Sequence, residues 1–228
     1  MDNLDEILAY ETAAFIDHVI AFEGAHAIKK AIGKDGLKDL KKNANELIGS
    51  LLDLLVCAVQ FGHRIDQHCS KMRIGKFDKK LTKSEINERK DKLDKLCNDC
   101  MKKLNDFDKL VKKHEIDDGQ LRSLFKQNTV DTCGVYFEML NSCIRSHEGS
   151  IQRLHLLNHR YKVPHYVEEV NELQEAFNFF KEKIYHPSIV TMQSVFKRSH
   201  LVAYVSDNGV NANTLLFGSY AMKKITFG

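Results

Sequence analysis

The sequence predicts a mainly α fold: a bundle of about five long amphipathic helices over residues 1–199, followed by a short C-terminal antiparallel β segment over residues 200–228. Three observations predict it. Two prolines and 12 glycines among 228 residues, with 29% charged residues and no tryptophan, favour long helices over a many-turned β sandwich. Apolar residues recur in steps of three and four over spans too long for strands. The last 29 residues then change to a β-branched and aromatic composition. With 43% hydrophobic residues the chain can bury a real core.

The first element is an amphipathic helix from Asn3 to about Ile32, closed by the Gly33-Lys34-Asp35-Gly36 turn signal. The second carries the strongest pattern: Leu37, Leu40, Ala44, Leu47, Leu51, Leu54, Ala58, Phe61, Ile65, His68 and Met72 form an unbroken heptad seam. Ile48, Leu55, Val56 and Val59 widen that seam beyond a two-stranded coiled coil, so this helix is expected at the centre of the bundle. The third helix begins near a cap at Thr82 or Ser84, with Glu85 and Glu88 in its first turns. Its seam is Ile86, Leu93, Cys97, Cys100, Leu104, Phe107 and Val111.

Asp117, Asp118 and Gly119 break the third helix, and a short helical turn through Leu121, Leu124 and Phe125 follows. Thr129 or Asp131 is expected to cap the next long helix, whose seam is Val130, Cys133, Phe137, Leu140, Ile144, His147, Ile151 and Leu154. Pro164 ends it, and a last helix is expected from His165 to about Tyr185, stopping near Pro187. Beyond it, Leu201–Val205 reads as a strand, Asn208-Gly209 as a type I′ hairpin turn, and TLLFG and KKITFG as further short strands. An isolated hairpin is marginal in water, so this tail is expected to pack on the bundle or on a partner chain.

The amino terminus carries Asp2, Asp5, Glu6 and Glu11 where a secretory signal needs basic residues and an apolar run. The most apolar stretch, Leu47–Gly62, is 16 residues long and interrupted by Asp53. That falls short of the roughly 20 residues a spanning helix needs. A cytoplasmic protein with reduced cysteines is therefore expected.

The chemistry-bearing residues each admit a packing explanation. Cys97 and Cys100 share the C-x-x-C spacing of zinc and redox sites. In antiparallel hairpins, Cys57 falls beside Cys97, and Cys97 and Cys100 fall near Cys133, giving the four soft ligands a tetrahedral zinc site requires. Two of these four already occupy a heptad seam, however, and free cysteine packs as a small hydrophobe, so core packing is the preferred reading and no cofactor is expected. His155 and His159 stand at the i, i+4 spacing, as do His165 and Glu169, and Glu23–His26 is half of a di-iron motif without its second half. No phosphate loop or nucleophile elbow occurs in the sequence, and a non-enzyme is expected.

Charge is unevenly distributed. Residues 71–113 carry 15 Lys+Arg against 8 Asp+Glu, a net of +7, while the rest of the chain has a net of −4. Lys71, Arg73, Lys76, Lys79, Lys80, Lys83, Lys102, Lys103, Lys112 and Lys113 are the candidate polyanion-binding residues. Interleaved aspartates offer the competing reading of a solvated, self-neutralised face.

The expectation that results is a helical binding or assembly protein. It would associate with itself through the C-terminal tail and contact RNA or an acidic protein through the basic hairpin. A membrane-acting bundle, inserting Ile7, Leu8, Phe15, Ile16, Val19, Ile20 and Phe22, ranks second because Glu11, Asp17 and Glu23 would enter the bilayer too. A metal-dependent bundle enzyme ranks third.

Overall fold

The computed structural model describes the backbone of residues 2–73, 83–161, 167–201, 203–207 and 211–215, and side chains within 22–67, 84–153, 155–156 and 170–201. Among the described residues the elements are α1 (Asp2–Arg73), α2 (Lys83–Lys113), the short α3 (Asp118–Leu121), α4 (Gln127–Tyr161), α5 (Val167–Phe179) and α6 (His186–Ser199). A 3-10 turn, Arg122–Leu124, follows α3, and a π-helical turn, Phe180–Tyr185, joins α5 to α6 without a break. The fold is an all-α packing of five helices: the kinked α1, α2, α3, α4 and the continuous α5–α6 rod.

The heptad seam of α1 is the axis of the fold. Leu40, Ala44, Leu47, Leu51, Leu54, Ala58, Phe61 and Ile65 are each at most 1% exposed, and Ile48 and Leu55 beside them are also fully buried. A stripe this wide needs cover from more than one side, and α1 packs against α2, α4, α5 and α6. The expected closure of the first helix at Gly33–Gly36 is smaller than anticipated. Only Gly33 leaves helical geometry, at φ 80° and ψ 176°, and helix resumes at once on its far side. That positive φ is accessible to glycine without a Cβ clash, so one residue suffices to kink the rod.

α2 lies antiparallel to α1. Arg64 Nε donates to Glu85 Oε1 at 3.1 Å near one end, and Leu93, Cys100, Leu104 and Phe107 are buried along the seam. The turn after α2 is built as its sequence suggests: Asp117 Oδ1 accepts from the Gln120 N–H at 3.0 Å, capping α3. α4 starts at Gln127 with Lys126 in the cap position, three residues before Thr129 and five before Asp131. The Lys126 carbonyl accepts the first amides, from Thr129 at 3.0 Å and Val130 at 3.2 Å. Asn45 Oδ1 of α1 accepts from the Lys126 N–H at 3.3 Å, anchoring that start, while Asp131 accepts from the Gln127 side chain at 2.8 Å.

The last helix departs furthest from expectation. Instead of ending near Pro187, the rod passes through it and continues to Ser199. Proline lacks an N–H and its ring crowds the carbonyl four residues earlier. The π turn widens the backbone immediately upstream, with the His186 N–H bonded back to the Lys181 carbonyl, so the proline follows a turn already displaced from α geometry. The rod stops at His200, whose left-handed backbone (φ 49°) lets Leu201 N–H reach the Phe196 carbonyl at 3.1 Å. Arg198 then ties α6 to α2, donating to Asp108 and, at 3.1 Å, to Asn105. The Asn208-Gly209 turn and the KKITFG segment lie outside the described residues.

α1, α4 and the π turn meet with little room. Phe61 packs edge-on to Phe179 and Phe180, with centroids 6.5 and 5.9 Å apart. A Cβ on Gly62 would stand 3.0 Å from Phe180 Cζ and 3.2 Å from Cys143 Sγ. We therefore expect Gly62→Ala to destabilise the fold by about 1–3 kcal/mol through overpacking, read as a lowered urea midpoint at unchanged slope.

Candidate functional site

The four cysteines singled out in the sequence lie on three helices and neighbour one another in pairs. Cys97 on α2 is electrostatically coupled to Cys57 on α1, Cys100 to Cys97, and Cys133 on α4 to Cys100. Their surroundings are those of core side chains. Burial pushes every one of these thiols up, Cys100 to about 11 and Cys133 further, against ordinary thiols near 9. Each of three has its own polar neighbour: Thr191 beside Cys97, Ser50 beside Cys100, and the Ile48 carbonyl accepting from Cys133 Sγ at 3.8 Å. Metal ligation needs thiolates. Among the described residues no group of three or more His, Cys, Asp and Glu side chains is arranged to hold a metal ion.

The histidine candidates separate. His26 and His155 are exposed, while the side chain of His159 and all of His165 lie outside the described residues. His147, expected only as a seam position, is fully buried. Its ring stands edge-on to Phe177 and Phe180, with centroids 5.9 and 5.8 Å away, and neither ring nitrogen has a well-formed hydrogen bond. Burial lowers its pKa; Asp66 and the Gly62 backbone oppose that shift, and His63 adds to it.

Four of the ten candidate basic residues, Lys102, Lys103, Lys112 and Lys113, have described side chains, all on α2. Lys102, Lys112 and Lys113 are exposed on α2, the last two in its final turn, where cations complement the helix dipole. Lys103 is engaged by Asp99 at 2.7 Å, Lys109 by Asp106 at 3.0 Å and Lys90 by Asp94 at 3.2 Å. Lys71 and Arg73 end α1 and Lys83 opens α2, but their side chains, and the whole of Lys76, Lys79 and Lys80, lie outside the described residues. The expected membrane segment falls on the first part of α1, where side chains before Phe22 are likewise outside them. Among the described residues the one helix long and apolar enough to cross a membrane is Phe22–Gln67; an 18-residue window of it has mean hydropathy 1.4 and is 61% buried inside the bundle.

Sequence reasoning missed a groove of about 800 Å³. α1 supplies its floor, with Val56, Val59, Gln60, His63 and Gln67; α4 supplies one wall and Arg89 of α2 the other. On the α4 wall Val135 and Met139 are 41% and 46% exposed. These two stand at i, i+4 and off the buried seam of Val130, Cys133, Phe137 and Leu140, a second apolar stripe that was present in the sequence and unread. Cys143 also lines the groove, its thiol raised first by burial and then by Asp66. A raised thiol is a poor nucleophile.

The geometry defines an all-α helical bundle with a surface groove over its central helix. The chain matches no protein-family model, no curated protein and no solved structure.

Two measurements check the electrostatics. A neutral, buried His147 with a lowered pKa contributes stability that is fully present above its unfolded value of about 6.5 and is lost as pH falls through the folded value. Wild-type stability should therefore drop between pH 7 and pH 5, by up to about 1.4 kcal/mol per pH unit from this group. His147→Phe, which keeps the ring contacts, should flatten that slope in urea titrations. Separately, Cys100 and Cys133 should resist a disulfide reagent at pH 8 in the folded protein and react within seconds once it is unfolded.

Proposed function

We propose that this chain is a non-enzymatic helical-bundle binding protein that engages a partner through the groove over α1. The observation that carries the reading is the exposed pair Val135 and Met139 beside Val56 and Val59, in a concavity rimmed by polar side chains. Apolar surface gathered in a concave, polar-rimmed site is the usual signature of recognition, whereas single exposed apolar residues are ordinary. Burial and then Asp66 raise the pKa of its one thiol, Cys143, and the other groove chemistry is that of hydrogen bonding and ion pairing. An intracellular location fits the five described cysteines, all of them free.

Contact with a polyanion through α2 is a second reading, supported by exposed Lys102, Lys112 and Lys113 and weakened by the aspartate pairing of their neighbours. For the tail we propose a hairpin folded on its own bundle. Ala203–Asp207 and Asn211–Leu215 run antiparallel, Ala203 opposite Leu215 and Asp207 opposite Asn211, and the first strand lies against α4. Self-association through the tail has the weaker support, because the first strand already lies against α4.

Proximity labelling in cells tests the binding role. Neighbours recovered with the wild type should be lost with Met139→Glu and kept with Val190→Glu, which changes a still more solvent-facing valine (60% exposed) on α6. Both variants should melt within about 0.5 kcal/mol of wild type, as surface substitutions do. Identical neighbours for all three proteins would remove the groove from the function.

A further inference from the structure

The groove also carries information about its occupant, an inference that rests on the binding role just proposed. Its floor from Val56 to Gln67 spans about 17 Å of helix, three turns. α4 runs alongside in the same direction, as shown by the Ile48–Cys133 contact at one level and the Asp66–Ser146 contact at another. The trough between them is about as long as three turns of helix.

Its two sides differ in charge. Towards α2, Arg64 and Arg89 converge on one carboxylate, Glu85, at 3.1 and 4.0 Å. Arg89 Nε is buried with no hydrogen-bond acceptor, although the guanidinium lies 5.8 Å from the Phe61 ring centroid. That side presents two cations to a shared anion. Towards α4 stands Asp66, whose neighbour there is the Ser146 hydroxyl at 3.5 Å. A ligand with a single anionic head, such as a fatty acid, would satisfy the arginine side and be repelled by Asp66. An amphipathic helix can place opposite charges on its two flanks and an apolar stripe between them.

We propose that the groove receives an amphipathic α-helix from a partner protein. Its apolar stripe lies on Val56, Val59, Val135 and Met139, its acidic flank faces Arg64 and Arg89, and its basic flank faces Asp66.

The test uses the full chain and a displayed library of 14-residue helix-forming peptides, with affinities of the selected sequences measured by fluorescence anisotropy. Selected peptides should converge on apolar residues at i, i+3 or i+4, and i+7, with acids on one flank and Lys or Arg on the other. Met139→Glu should weaken them at least about tenfold, the loss expected on disrupting a buried anchor. Arg89→Glu should weaken peptides with an acidic flank and restore binding to peptides in which those acids are lysines. If circular dichroism shows that Arg89→Glu does not fold, Arg89→Gln replaces it and should abolish the preference for acidic over neutral flanks. Peptides that depend on Met139 but show no helical stripe or no flank preference overturn the helical occupant and leave the binding role standing. Enriched peptides indifferent to Met139→Glu overturn both, and a library that yields no enriched peptide overturns the helical occupant.

Discussion

Everything in this fold depends on burying the middle of α1. Ten apolar side chains from Leu40 to Ile65 are essentially inaccessible to water, and each large aliphatic one contributes about 1.5–3 kcal/mol when fully buried. No single partner helix can cover a stripe that includes Leu47, Ile48, Leu51, Leu54 and Leu55. α2, α4 and the α5–α6 rod therefore share the task. The outer face of α1, with Gln60, His63 and Gln67, needs no such cover and becomes the groove floor. Core and candidate site are thus two sides of one helix.

The cysteines show how that core tolerates polarity. A thiol is a weak donor and acceptor, so it costs little to bury and fills the small spaces where helices approach closely. The hydroxyls nearby satisfy themselves within their own helices: Ser50 donates to the Leu47 carbonyl at 2.9 Å and Ser188 to the Ile184 carbonyl at 2.7 Å. His147 differs, because an imidazole has two nitrogens to satisfy and is placed among phenylalanines. Burial there disfavours its charged form.

Periodicity made the helices legible, and pairing in antiparallel hairpins made the Cys57–Cys97 and Cys100–Cys133 neighbourhoods legible too, since both follow from rise per residue. What stayed hidden has a common cause. The passage of α6 through Pro187 depends on a π turn upstream, and the early start of α4 depends on Asn45 from a helix 81 residues away. Local propensity carries neither fact. The groove was hidden differently: Val135 and Met139 lie off the buried seam of α4, and two apolar residues off a seam do not by themselves mark a concave surface.

The basic character of residues 71–113 also changes meaning once geometry is added. Part of that charge is spent along α2 itself, in exposed i, i+3 and i, i+4 pairs worth only a few tenths of a kcal/mol each. Other charges fasten elements together, because Arg64 of α1 meets Glu85 across the α1–α2 contact and Arg198 of α6 meets Asp108 of α2, while Arg89 approaches Glu85 within α2 itself. These inter-helix pairs are half-buried, so salt screens them less than the surface pairs. Net charge counted along a sequence treats all three kinds alike. Separated by position, the arginines hold helices and shape one side of the groove, while the exposed lysines are left facing solvent. Among the described basic residues of the segment only Arg89 lines the groove, so the segment's positive sign says little about the charge of that site.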